Sequence, residues 1–189
     1  MYRALGLLAV EHRVEPAAEN KLVALLERYP LRFEAVPASA LGYRIFAGPD
    51  EIGGRLFDDR IAAAASSVAG HARVREALVS AQRAMAQDRS IVMVGRDIGT
   101  VVLPRAPFKI FLTASVDART ERRYADFIRE GIPVSREGLR GEIMRRDEKD
   151  RNRSLSPLVA ADDARTIDSS GLSIDQVVDQ IAGWIQSPR

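Results

Sequence analysis

Two stretches of the chain combine arginines with carboxylates at spacings that suit phosphate chemistry. The first, GRDIGT at residues 95–100, directly follows the apolar run IVMV at residues 91–94. The guanidinium of Arg96 can fork onto phosphate oxygens, and the carboxylate of Asp97 can accept hydrogen bonds. If the apolar run is a buried strand, the turn lies at its carboxyl end, where open α/β sheets bind ligands. Gly95 and Gly99 would permit unusual backbone angles there. The alternative is a turn that holds one internal ion pair.

The second stretch is RRDEKDRNRS at residues 145–154. Arg146 and Asp150 stand four positions apart and therefore share a helix face, and Arg153 lies near the expected end of that helix. No apolar residue occurs in this stretch, so we expect little core to hold it. This pattern is typical of a mobile arginine-bearing lid that closes on polyphosphate. A solvated helix surface is the alternative.

A third candidate is Arg75, near the start of a helix predicted from residue 72 and preceded by Ser66 and Ser67. The amino end of a helix favours anions, although a surface arginine is the alternative interpretation. Tyr2 and Arg3 at the beginning of the chain indicate nothing by themselves.

Composition excludes several other chemistries. The 189 residues contain no cysteine, which rules out disulfides and thiolate sites and favours a reducing cytoplasm. His12 and His71 are isolated, and neither HExxH nor Gly-x-Ser-x-Gly occurs. No apolar run approaches the roughly 20 residues of a membrane helix. The net charge of +2 makes bulk attraction to nucleic acid weak. Lysine accounts for only three of the 28 basic residues, which suits phosphate binding but also codon usage in a GC-rich genome.

The elements that must position these residues alternate between strands and helices. Apolar periodicity predicts helices at residues 1–12, 16–28, 55–68, 72–87, 116–129, 135–150 and 173–185. It predicts strands at residues 31–36, 42–47, 91–94, 108–112 and 166–168. This order predicts an α/β fold in which helices flank a parallel sheet. The length suits one domain with a small insertion.

In their joint order and spacing, six segments make the chain resemble the bacterial cytidylate kinase family of P-loop nucleoside monophosphate kinases. They are MYRAL (1–5), RVREAL (73–78), GRDIGTVV (95–102), APFKIFLTAS (106–115), RRDEKDRNRSLSPL (145–158) and DSSGLSIDQV (168–177). The resemblance implies a reaction that passes a phosphoryl group from ATP, with Mg²⁺, to CMP or dCMP. It also implies a single domain, with a CMP-binding insertion near residues 30–70 and a lid near residues 130–156. We expect a cytoplasmic monomer that binds neither nucleic acid nor membrane.

The resemblance further implies roles for individual residues. Arg3 would grip the CMP phosphate, with Tyr2 as its neighbour in the same motif. Ser66, Arg75 and Asp97 would read cytosine: Arg75 can donate to the carbonyl oxygen and ring nitrogen, and Asp97 can accept from the exocyclic amine. Asp97 would repel uracil, which carries a carbonyl in place of that amine.

The other implied residues surround the ribose and the transferred group. Arg146 and Asp150 would hold the ribose hydroxyls. Arg96 and Arg153 would stabilise the charge of the transferred phosphoryl group. The implied catalytic arginines are thus Arg96, Arg146 and Arg153, and no residue of the chain is expected to be a resident metal ligand.

The chain departs from the family pattern in one major respect. Family members begin with a strand and a glycine-rich loop ending in Gly-Lys and Ser or Thr, which cradles ATP. Here no lysine follows a glycine. We therefore expect a truncated beginning that lacks the first strand and this loop, from a misassigned start or a fragment, and little kinase activity. A non-catalytic cytidine-nucleotide-binding paralogue is the alternative. Phe57 stands where relatives usually carry an arginine.

Overall fold

The structure is a computed structural model that describes residues 1–36, 42–152 and 156–186, with only the backbone of Asp59. The chain divides into two compact units, Met1–Ile91 and Val92–Arg189. Each unit is built from its own helices and its own sheet.

The first unit surrounds a small antiparallel sheet with helices. Its helices are α1 (Tyr2–Glu11), α2 (Glu19–Arg28), α3 (Asp59–Val68) and α4 (Ala72–Ala86), and its strands are β1 (Leu31–Ala35), β2 (Tyr43–Ala47) and β3 (Asp50–Glu51). The strand order is β1-β2-β3, and Leu31 pairs with Ala47 at one end of the hairpin. The predicted strands at 31–36 and 42–47 are confirmed. The third helix begins at residue 59 rather than 55, because the Asp58 carboxylate accepts the amide of Arg60 and caps the helix there.

Helix α1 forms the centre of this unit. Its residues 4–9 are all buried, so the helix is covered on every side rather than along one stripe. It packs closely on α3 at Gly6. A Cβ placed on Gly6 would lie 2.9 Å from the backbone nitrogen of Ala65, so only glycine allows the two helices to approach this far. The side chains of Leu5, Leu22 and Leu78 fill the surrounding core.

The second unit contains a parallel strand pair and three α-helices. Its elements are one turn of π-helix (Ile98–Val102), β4 (Ile110–Thr113), α5 (Val116–Arg129), α6 (Arg136–Arg151), β5 (Arg165–Asp168) and α7 (Ile174–Gln186). Strands β4 and β5 run parallel, with Ile110 opposite Arg165 and Thr113 opposite Asp168. Ser115, Ser135 and Ser173 accept amide hydrogen bonds at the starts of α5, α6 and α7. Parallel pairing with intervening helices agrees with the predicted α/β class.

Helices α5 and α6 are joined mainly by charge. Four ion pairs connect them: Asp117–Arg140, Arg119–Asp147, Glu121–Arg136 and Arg123–Glu142. The guanidinium carbon of Arg136 also lies 4.1 Å from the centre of the Tyr124 ring. We call these four pairs the ionic seam.

The predicted strand at residues 91–94 is wrong. These residues have no regular secondary structure, and Val92 and Val94 are 91% and 92% exposed. A run of β-branched residues becomes a strand only where a neighbouring backbone completes its hydrogen bonds. In the described residues of the second unit, β4 and β5 pair with each other and leave this run without a ladder. Strand β4 also begins at residue 110 rather than 108.

We expect Gly6→Ala to destabilise the chain, because the new methyl group would meet backbone atoms that cannot rotate away. Overpacking of this kind costs about 1–3 kcal/mol, and each kcal/mol lowers Tm by about 2–4 °C in a chain of this length. The measurement is thermal melting followed by far-ultraviolet circular dichroism. Gly183→Ala is the matched control, because no atom lies within 4 Å of a Cβ there. Equal or higher melting temperatures in both variants would contradict close packing of α1 on α3.

Candidate functional site

The first unit brings two of the predicted nucleotide-binding residues together. The guanidinium carbon of Arg75 lies 5.6 Å from the centre of the Tyr2 ring, and Arg75 Nη1 donates to the carbonyl oxygen of Ala69 at 3.4 Å. Arg75 is only 7% exposed, so it is not the surface arginine of the alternative interpretation. A guanidinium has five donors, and a buried one requires partners. Arg75 can therefore present a desolvated cation to a ligand.

Arg3 and Ser66 lie on helices that pack together. Arg3, in the first turn of α1, donates from Nη1 to the carbonyl oxygen of Leu56 at 2.7 Å and is half-buried. Ser66 lies on α3 and is also half-buried. The close contact of these two helices at Gly6 fixes the distance between the segments that carry the two residues. Phe57, next to Leu56, is exposed.

In the second unit, Asp97 lies at the start of the π-helical turn. Its carbonyl oxygen accepts the amides of Val101 at 2.9 Å and Val102 at 3.2 Å, and the residue is 7% exposed. Single π-helical turns are rare and often occur at functional sites. Gly95 and Gly99 do not have positive φ angles, so the expected unusual backbone angles are absent at both. A Cβ on Gly95 would instead meet Ile98 at 2.9 Å.

Arg96 and Asp150 form an ion pair that links this turn to α6. Arg96 Nη1 lies 2.9 Å from Asp150 Oδ2, and Asp150 is only 3% exposed. Arg146, one turn earlier on α6, is exposed. The structure thus joins two of the predicted residues directly, and it places Arg146 on the same helix. Arg153 lies outside the described residues.

A second buried ion pair on α6 was missed by the sequence reasoning. Arg119 donates from Nη1 and Nη2 to the two carboxylate oxygens of Asp147, at 2.9 and 2.6 Å, and Asp147 is 7% exposed. The signal was the spacing. The buried residues of α6 are Leu139, Ile143, Asp147 and Asp150, so two aspartates continue the apolar stripe. Residues 145–151 are therefore anchored by buried ion pairs rather than left without support.

These arginines also set the acidity of Asp147. The hydrogen bonds from Arg119 hold the pKa of the Asp147 carboxyl below its ordinary value of 3.8, although burial acts in the opposite direction. The positive charges of Arg119, Arg151 and Arg96 lower this pKa as well. Asp147 is therefore an anion throughout the neutral range.

Comparison with known proteins identifies the family. A sequence model described as cytidylate kinase matches residues 1–187. The chain belongs to the cytidylate kinase family. A cytidylate kinase of Enterococcus faecalis is 42% identical over 186 residues, which cover 98% of this chain and 81% of that protein. One from Streptococcus suis is 44% identical over 178 residues, covering 94% of this chain and 78% of the relative. One from Salmonella paratyphi B is 41% identical over 180 residues, covering 95% and 78%.

Membership of the cytidylate kinase family identifies this chain as a kinase, a phosphotransferase that uses ATP. The remaining features agree with the exclusions made from the sequence. The side chain of His71 hydrogen-bonds the carbonyl oxygen of Pro16, and His12 stacks on Tyr29. Across the described ranges, no three histidine or carboxylate side chains form a metal-ligating group. None of the described helices is long and apolar enough to cross a bilayer.

We expect Asp147→Asn to lower the free energy of unfolding of the second unit by roughly 1–3 kcal/mol near neutral pH, because a charged hydrogen-bonded pair is lost. A carboxylate with a depressed pKa stabilises the fold above its unfolded value, near 3.8, and stops doing so as the pH falls through the folded-state value. The difference between the chain and the variant should therefore stay constant from pH 7 to about 5 and shrink only below about 4.

The measurement is urea unfolding followed by the fluorescence of Trp184, the single tryptophan, which lies on α7 of the second unit. A difference that already disappears between pH 7 and pH 5 would show that the ionised Asp147–Arg119 pair is not its source. Asp179→Asn, at an exposed position on the same helix as the reporter, is the control.

Proposed function

We propose that this protein catalyses the phosphorylation of CMP or dCMP by ATP, giving CDP or dCDP and ADP. An oxygen of the CMP phosphate attacks the γ-phosphorus of ATP, and the bond from that phosphorus to the bridging oxygen of ADP breaks. Mg²⁺ enters with ATP as part of the second substrate and neutralises its phosphates. The observation that carries the proposal is the match of the family over residues 1–187. A cytoplasmic location and a monomeric state stay predictions.

Two buried charged residues are proposed to read the base. Asp97 accepts from the exocyclic amine of cytosine, and Arg75 donates to the carbonyl oxygen and the unprotonated ring nitrogen, with Ser66 as a further polar contact. Both charged residues are 7% exposed, so water competes weakly for their donors and acceptors. A uracil base would place a carbonyl oxygen against the Asp97 carboxylate and an N–H against the Arg75 donors. Such mismatched polar groups produce strong discrimination.

The remaining arginines are proposed to bind the ribose and the phosphates. Arg3 grips the CMP phosphate, and Arg146 with Asp150 holds the ribose hydroxyls. Arg96 and Arg153 face the transferred phosphoryl group, where negative charge spreads over several oxygens in the transition state. Support comes from the partners that Arg3 and Arg96 have now. Arg3 donates to one backbone carbonyl, and Arg96 is shared with one carboxylate, so each retains donors for phosphate oxygens.

The alternative function is binding of a cytidine nucleotide without catalysis, as in a sensor. One observation favours it: no glycine-lysine pair occurs in the 189 residues, and that pair supplies the lysine that contacts the ATP phosphates in P-loop enzymes. Both functions share the same nucleotide pocket, so binding and turnover must be measured separately.

We expect a polypeptide of these 189 residues, expressed alone, to show little or no turnover. The stated reason is the missing lysine and backbone cradle for the β- and γ-phosphates of ATP. The measurement is a coupled assay of ADP release with CMP and MgATP, with the E. faecalis cytidylate kinase as the active control. Turnover comparable to that of the control would show that other residues bind ATP and would remove the argument for the sensor.

We expect the chain to bind CMP at least about tenfold more tightly than UMP, and Asp97→Ala to reduce that ratio towards one. The loss of the only proposed acceptor for the amine should weaken CMP binding without weakening UMP binding. Isothermal titration calorimetry measures both affinities, and Asp179→Ala, an exposed carboxylate on α7, is the matched control. Equal affinities for CMP and UMP in the unaltered chain would refute the proposed base recognition.

A further inference from the structure

The direction of α6 about its own axis decides where Arg146 points. Successive residues of an α-helix are rotated by about 100°, so Asp150 lies about 40° from Arg146, and Asp147 lies about 60° beyond Asp150. Asp150 is therefore between the other two residues on the helix surface. An interaction that fixes Asp147 also fixes the directions of Asp150 and Arg146.

Arg119 supplies such an interaction. Its two terminal nitrogens bind both oxygens of Asp147, and its Nε donates to the carbonyl oxygen of Ala114 at 3.1 Å. Ala114 directly follows Thr113, the last residue of β4. A forked contact requires the guanidinium and the carboxylate to be nearly coplanar, so it restricts rotation as well as distance. One side chain thus ties α6 to the carboxyl end of β4.

The other pairs of the ionic seam are of a different kind. In the pair Asp117–Arg140, the two side chains are 79% and 51% exposed, and one Arg140 nitrogen contacts one carboxylate oxygen at 3.0 Å. Exposed pairs of this type contribute little to stability and do not fix geometry. Asp147 is buried, and its two oxygens are both engaged by Arg119. The forked pair is therefore the member of the seam that can orient the helix.

We propose that Arg119, acting through Asp147, is a positioning residue that sets the direction in which α6 presents Arg146 and Asp150 to the nucleotide. The inference rests on the proposed function, because it takes Arg146 and Asp150 as the residues that hold the ribose hydroxyls. Arg119 itself touches no substrate in this proposal. Its loss should weaken the recognition of the hydroxyls more than the recognition of the base.

The test compares two ligands and two matched variants. Arg119→Lys keeps the positive charge but cannot form the fork, and Arg140→Lys makes the same change in the exposed pair. CMP and 2′,3′-dideoxy-CMP differ only in the ribose hydroxyls. By calorimetry, the unaltered chain and Arg140→Lys should bind CMP about tenfold more tightly than the dideoxy ligand, equivalent to about 1.4 kcal/mol. In Arg119→Lys that ratio should fall below about twofold, while CMP remains preferred over UMP.

Asp147→Asn is the second variant and should reduce the same ratio, and the double variant should show no further loss because both changes break one contact. Trp184 fluorescence confirms that each variant is folded at the temperature of the titration. An unchanged ratio in Arg119→Lys or Asp147→Asn, or an equal loss of affinity for both ligands, would overturn the inference and leave the proposed function intact. Failure of the unaltered chain to prefer CMP over UMP would overturn the proposed function, and this inference with it.

Discussion

A carboxylate that leaves water must find positive partners, and this constraint shapes α6 and the residues around it. Asp147 and Asp150 occupy positions on the buried stripe where leucine or isoleucine would otherwise stand. Removing an ion from water costs several kcal/mol, and good hydrogen-bond geometry is needed to offset that cost. Arg119 and Arg96 provide it. The helix consequently has few acceptable rotations, since any rotation that buries these two aspartates elsewhere leaves them unpaired.

The two units meet the need for a fixed geometry by different physical means. The first unit relies on shape: α1 is buried on all sides, and the missing side chain of Gly6 lets α3 approach to backbone contact. The second unit relies on charge, because α5 and α6 meet through arginines and carboxylates. Apolar packing tolerates little change of volume, whereas ion pairs tolerate changes of volume but not of hydrogen-bonding pattern. Polar residues that must stay near a phosphate are held naturally by the second means.

Local signals in the sequence were sufficient for most elements and for few of the contacts. Helix α5 was predicted with its observed bounds because Ser115 caps its start and Gly131 with Pro133 ends it. The run at residues 91–94 was mispredicted because strand formation depends on a neighbouring strand, which periodicity does not report. The resemblance of GRDIGT and RRDEKD to known motifs supplied the candidate residues. It could not supply the Arg119–Asp147 pair, since residues 28 positions apart meet only through the path of the chain.

The ionic seam makes the response of the second unit to its solvent unlike that of the first. Dissolved ions weaken attraction between exposed charges, with a screening length of about 8 Å at physiological ionic strength and about 3 Å in 1 M salt. Three of the four pairs in the seam involve side chains exposed enough to feel this effect, whereas the core around Leu5 and Leu22 does not. Guanidinium chloride, which is both a denaturant and an electrolyte, would therefore loosen α5 from α6 at concentrations where urea leaves them together.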